Sequence, residues 1–248
     1  LAGTPSGQIL APTAEGLAAL RSLASNAASG VSPVNVGLIA DQVPVAPSRV
    51  RTTNVLNEAT GQQAPIELGA FTGTTPNFDR EQLFLVSSDF LTSKHRLSGR
   101  FHFSRRRAIT PGVLPVAAFN SNGTLDTRRT TLSDVFTVTP AVVNEFRAAY
   151  NRVISTSPVD LPKGPGSTDV FANYGVNDLN MFIGPLSNLP QNQANNIYQF
   201  VDQISWVKGA HTIKGGADFR NIIATSSFLP RARGEYVWTN LDLFVRDT

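Results

Sequence analysis

The chain has 248 residues, of which 41% are hydrophobic and only 16% charged, with a formal charge of +3 and no cysteine. That length holds one large domain or two small ones. Disulfides, zinc–thiolate sites and cysteine nucleophiles are therefore excluded. The charge is small and no Lys/Arg-rich helix occurs, so no nucleic-acid partner is expected. Thr, Ser, Asn and Gln fill the gap left by charged residues, a balance that suits β structure with polar loops. No run approaches the ~18 apolar residues that a membrane helix needs. The longest, residues 113–119, is interrupted by Pro115. The chain opens at Leu1 with no signal peptide, as a processed chain or an excised piece of a larger protein would.

Residues 1–75 are the least regular part and read as an extended loop or cap region with one short helix. Thr13 is placed to cap that helix over residues 14–24, where Leu17, Leu20 and Leu23 fall at helical spacing. A Pro/Val/Asn-rich stretch follows over 32–47, then a possible strand at 49–56. Residues 76–248 read as antiparallel β-barrel-type hairpins. Strands are expected at 81–91, 96–104, 130–138, 143–153, 197–207 and 212–222, with a seventh at 234–239. The second shows strict alternation: Leu97, Gly99, Phe101 and Phe103 against Arg96, Ser98, Arg100, His102 and Ser104. In the third, Asp134 breaks the face formed by Leu132, Phe136 and Val138. The tail 241–245 suits a strand or a helical turn.

Three tight turns join these strands in pairs: Thr92-Ser93-Lys94-His95, Thr139-Pro140-Ala141-Val142 and Lys208-Gly209-Ala210-His211. The other connections, 105–129 and 154–195, are long and rich in turn signals, among them Pro111-Gly112, Asn122-Gly123 and Lys163-Gly164-Pro165-Gly166-Ser167. Short turns at one end and long loops at the other make an all-β, antiparallel up-and-down meander of about six or seven long strands. That is the layout of an outer-membrane β-barrel wall segment. Strands of about nine to eleven residues fit a tilted bilayer crossing better than the ~5–6 of soluble sheets. Tyr150, Tyr198, Trp206, Tyr236 and Trp238 lie near strand ends, as an interfacial girdle would. So few strands leave two open edges. The remainder of a larger barrel could complete them, or a second copy of the chain by strand addition. A soluble β-sandwich is the third reading of the same pattern.

Three segments carry a family resemblance. They are Phe90-Leu91-Thr92-Ser93-Lys94-His95-Arg96-Leu97-Ser98-Gly99-Arg100-Phe101, Thr139-Pro140-Ala141-Val142-Val143-Asn144-Glu145-Phe146-Arg147 and Trp206-Val207-Lys208-Gly209-Ala210-His211-Thr212-Ile213-Lys214-Gly215-Gly216. In order and spacing they resemble the barrel hairpins of TonB-dependent outer-membrane receptors of the Oar-like, acidobacterial type. The resemblance covers roughly residues 80–245, and more loosely 7–23. It implies a wall segment of a large energy-coupled transporter of the Gram-negative outer membrane or cell surface, with long loops for substrate contact. No plug, energy-coupling box or terminal aromatic signal is visible in these residues.

Chemistry is sparse. His95 and His211 lie at tight turns, His102 lies with the polar face of its strand, and none has a partner at metal-ligand spacing. Asp79, Glu81 and Asp89 read as a polar lumen face more readily than as a hydrolytic pair. Arg105-Arg106-Arg107 reads as a solvated or headgroup-facing strand end, and Asn122-Gly123-Thr124 as a turn. No nucleophile elbow or phosphate loop occurs. No enzymatic activity, cofactor, metal or catalytic residue is expected, and no ligand-binding residue is nominated. The expected partners are outer-membrane lipid, the rest of a larger barrel, or a second copy through the open edges.

Overall fold

The computed structural model describes residues 4–5, 8–75, 78–112, 114, 119–159 and 170–248. Its elements run β1 (Thr4–Pro5), β2 (Ile9–Pro12), α1 (Ala14–Ala24), α2 (Pro33–Gln42), β3 (Arg51–Asn57), β4 (Gln62–Phe71), β5 (Thr74–Thr75), β6 (Asp79–Leu91), β7 (His95–Thr110), β8 (Ser121–Thr139), β9 (Val142–Ser157), β10 (Asn173–Val176), β11 (Met181–Ile183), β12 (Gln191–Lys208), β13 (His211–Phe228), β14 (Glu235–Trp238) and α3 (Leu241–Arg246).

Six strands form one antiparallel sheet in the order β13-β12-β9-β8-β7-β6. Each is paired to its chain neighbour in the meander, from Phe90↔Leu97 at one hairpin to Trp206↔Ile213 at another. The turn before β13 places Gly209 at φ 58. A two-residue hairpin turn favours positive φ at that position, where glycine carries no Cβ penalty. The strands are 13 to 19 residues long, well beyond the nine to eleven that alternation predicts. Apart from one residue at the turn end of β7, β8, β9, β12 and β13, the added length lies at the long-loop end. The expected loop 105–129 is therefore mostly strand: β7 continues through Thr110 and β8 begins at Ser121. The Asn122-Gly123 turn signal sits inside β8, opposite Ile109 and Ala108. Part of the expected loop 154–195 is also strand, at Ile154–Ser157 on β9 and from Gln191 on β12. The segment 163–167 lies outside the described residues.

The sheet has no packed interior of its own. Every residue of edge strands β6 and β13 is exposed. The buried apolar side chains gather elsewhere, in a cap built at the long-loop end. One layer is the antiparallel sheet β2-β4-β3 and another is β11-β10-β14, in which β14 runs parallel to β10. Helices α1, α2 and α3 cover them. Leu20, Ile39, Ile66, Leu68, Ile183 and Phe244 are among the side chains sealed in this core. Leu114 and Phe119, from the β7–β8 connection, are buried in the same cluster, with Phe119 against Phe171 at 5.5 Å.

Helix α1 starts at Thr13, whose Oγ1 accepts the Gly16 N–H at 3.1 Å. A Cβ on Gly16 would collide with the Glu67 carbonyl, so only glycine lets the helix lie this close to β4. The Pro-rich stretch over 32–47 contains a second helix, α2, opened by Ser32 with proline in its first turn. The chain's last segment is the helix α3, which locks onto α2. The Ser32 N–H and the Asn35 Nδ2 donate to the Val245 and Phe244 carbonyls, each at 2.7 Å. The seventh strand expected at 234–239 exists as β14, but it belongs to the cap and not to the meander. Tyr236 and Trp238 therefore pack within the cap, Tyr236 stacked on Tyr174 and Trp238 edge-on to Phe244 at 5.0 Å, and form no girdle.

Candidate functional site: the two faces of the long sheet

Residues paired across an antiparallel ladder share one face, and the face alternates along each strand. Following the register from β6 to β13 separates two surfaces. The first holds Phe90, Leu97, Leu132, Phe146, Phe200 and Phe219 in the half nearest the tight turns. These side chains are exposed, Leu132 at 58% and Phe219 at 64%. A shallow groove on this face is lined by Phe90, Leu97, Gly99, Leu132 and Phe146. At its upper margin Tyr150 and Tyr198 pack at 4.9 Å. Trp206 marks its lower margin, paired with Ile213.

The opposite face is polar at the same height. Ser98, Arg100, Thr131, Ser133, Glu145 and Arg147 line a groove there. Glu145 and Arg147 pair with each other, and the Gln199 amide donates to both Asp218 oxygens at 3.0 and 2.9 Å. One apolar face, one charged face and an aromatic margin are what a bilayer on one side and a water-filled lumen on the other demand.

The carboxylates and histidines fall on both faces. Asp79 pairs with Arg106, Glu81 accepts from Ser104 at 2.7 Å and Asp89 accepts from Ser98, all on the polar face. His102 shares that face, opposite Arg129. His95 sits on the apolar face, 2.8 Å from Asp134 and stacked on Phe136 at 4.3 Å. Asp134, which breaks the alternation, thus has a partner from the neighbouring strand. Asp202, also on the apolar face, accepts from Asn144 at 2.7 Å. His211 is the first residue of β13, paired with Lys208 across the turn. Among the described residues no group of three or more His, Asp or Glu side chains gathers into a metal cage.

The Outer membrane beta barrel domain family model matches residues 6–242. The chain belongs to that family. This places the barrel domain in the Gram-negative outer membrane. In barrels of this kind an apolar face meets lipid, a polar face lines the lumen, and short turns lie at the periplasmic end with longer connections outside. No helix among the described residues is long and apolar enough to cross a membrane; this barrel domain crosses with strands. No curated protein and no solved structure matches the chain.

The cap completes the site. Its two sheets and three helices are threaded through the β7–β8 and β9–β12 connections and the segments flanking the meander. Ion pairs tie the pieces together: Arg51 to Asp178 at 3.3 Å and Arg246 to Glu58 at 2.7 Å. Burial pushes the Asp178 carboxyl above its ordinary value, and the Arg51 charge opposes that rise. Burial also pulls Arg233 down from its ordinary value. Sequence reasoning places contact surfaces in connections 105–129 and 154–195 but misses that they carry a packed core. The signal available was modest: Ser32-Pro33 as a helix start, and Asn240 before an apolar run.

Proposed function

We propose that this barrel domain is wall and extracellular cap of a non-catalytic, TonB-dependent transporter of the Oar-like type, whose cap presents the substrate-contact surface. The observation that carries the reading is the combination of a two-faced sheet and a folded cap at its long-loop end. A passive wall segment needs only short loops; here the connections invest their apolar residues in a core that holds a defined surface above the lumen. Open edges β6 and β13 support the reading too, since a transporter wall continues on both sides. The test compares nutrient uptake in cells lacking this protein and in cells lacking the energy-coupling TonB protein. One nutrient is expected to be lost from both. Uptake that persists without TonB, or no uptake defect in the first strain, overturns the proposal.

The same exposed edges favour a second reading, in which copies pair edge to edge by strand addition into a filament or tube. Electron microscopy of the purified protein separates the two. Filaments would support assembly; discrete closed particles in detergent would support the transporter wall.

A further inference from the structure

On the lipid-facing surface, just above Tyr150 and Tyr198, the apolar side chains give way to arginines. They come from four strands, and their distances from the periplasmic turns agree. Arg80 is 11 residues from Leu91 at the turn end of β6. Arg105 and Arg107 are 10 and 12 residues from His95. Arg128 is 11 residues from Thr139, and Arg152 is 10 from Val142. At ~3.3 Å per residue and a tilt of about 40°, this puts all five roughly 25–30 Å above the turns. That is the top of an apolar band about 25 Å tall. They form a belt at constant height, although the primary sequence scatters them over 73 positions, from Arg80 to Arg152.

The belt is under-compensated: one carboxylate, Asp126, pairs with Arg105 and acts on Arg107 and Arg128 at longer range. Arg80 lies directly across from Arg107, and Arg128 directly across from Arg152. Like charges directly opposed on one face destabilise a sheet unless something neutralises them. Asp126 does so for Arg105, in a two-pronged pair at 2.8 and 2.6 Å. Arg128 lies over the Phe103 ring at 6.0 Å, and the Arg152 Nη1 donates to Asn196 at 2.8 Å. Among the described residues, no carboxylate lies within ion-pair distance of Arg80, Arg107, Arg128 or Arg152; the Asp126 carboxylate acts on Arg107 and Arg128 only at longer range. Further negative charge is available outside the chain, at the level of the outer-leaflet headgroups. Arginine presents a planar, permanently charged fork that suits phosphate oxygens.

We propose that Arg80, Arg107, Arg128 and Arg152 form a binding belt for the phosphate groups of outer-leaflet lipid. The proposal rests on the outward orientation of this face and not on what crosses the lumen. The neighbouring arginines give an internal control. Arg106 and Arg129 have the same charge and nearly the same height, but they face the lumen.

The experiment uses the protein extracted from outer membranes in mild detergent and stripped of lipid. Binding of diphosphorylated lipid A is measured beside binding of its fully dephosphorylated form. The intact protein is expected to prefer the phosphorylated lipid by at least about tenfold. Arg107→Gln with Arg128→Gln should abolish that preference. Arg106→Gln with Arg129→Gln should leave it intact, and Arg107→Lys with Arg128→Lys should retain most of it. Heat-modifiable migration on gels confirms that each variant is folded. Equal affinity for both lipids, equal loss in the lumen-facing pair, or an unchanged preference in a folded outward-facing Gln pair would each overturn the proposal. So would displacement of the lipid by inorganic phosphate at matching concentration, which would mark a simple anion site.

Discussion

Arg233 is the residue on which the cap's longest connection hangs. Its guanidinium donates to the carbonyls of Phe171, Leu186 and Leu189, each at 2.8 Å. Removing it strands three acceptors in a partly buried place, where the loss of charge-assisted bonds is felt most. Arg233→Met is expected to destabilise the cap by about 2 kcal/mol, read as faster hydrogen exchange at Val176 and Ile183 with the long sheet unaffected. Asp178 supplies the pH dependence. Its folded value is raised by burial, so its contribution to stability is present at low pH and is lost as pH rises through that raised value. Arg51 works against the rise. An NMR titration of Asp178 should show a midpoint above that of an unfolded peptide, and Arg51→Gln should move it higher still. A midpoint unchanged by Arg51→Gln would remove the ion pair from the explanation.

At the scale of single elements, the long strands have two regimes. Near the turns they alternate, because one face meets lipid and the other water. That is why the six turn-proximal halves are legible in residues such as Leu97 to Phe103 and Phe146 to Tyr150. Above the aromatic margin both faces meet polar surroundings, so alternation carries no signal. Arg105-Arg106-Arg107 and Asn122-Gly123-Thr124 read as strand end and turn, yet they pair through ladder hydrogen bonds. Within the cap, α1 is legible from Thr13 and its leucine spacing, whereas α2 is not. Asn35 and Gly37 lower its propensity, and contact with α1 and α3 sustains it. The candidate site suffers the same limit. The belt arginines are adjacent only through register, which no local pattern reveals. The two regimes yield a direct test. Leu132→Lys places a charge in lipid, seven residues above the turn, and should cost ~2–4 kcal/mol. Gln203→Lys, on the lumen face, should cost little. Urea midpoints in a bilayer would distinguish them, and equal costs would refute the assignment of faces.

The molecule as a whole is polarised from turn end to cap. The absence of cysteine allows that axis to be read in living cells. A cysteine at exposed Ala18, on the cap helix α1, should react with a membrane-impermeant maleimide on intact cells. A cysteine at Lys94, in the β6–β7 turn, should react only after the outer membrane is opened. The reverse pattern would invert the orientation and remove the cap from the surface.

The meander also sets a parity. Strand β6 departs from the cap end and β13 returns to it, so the sheet enters and leaves on the same side of the bilayer. Anything that closes the ring antiparallel to both exposed edges must likewise leave and return on that side. Its strand count must therefore be even, whether the strands belong to one longer chain or to a second copy. A closed particle built on this wall can grow only two strands at a time.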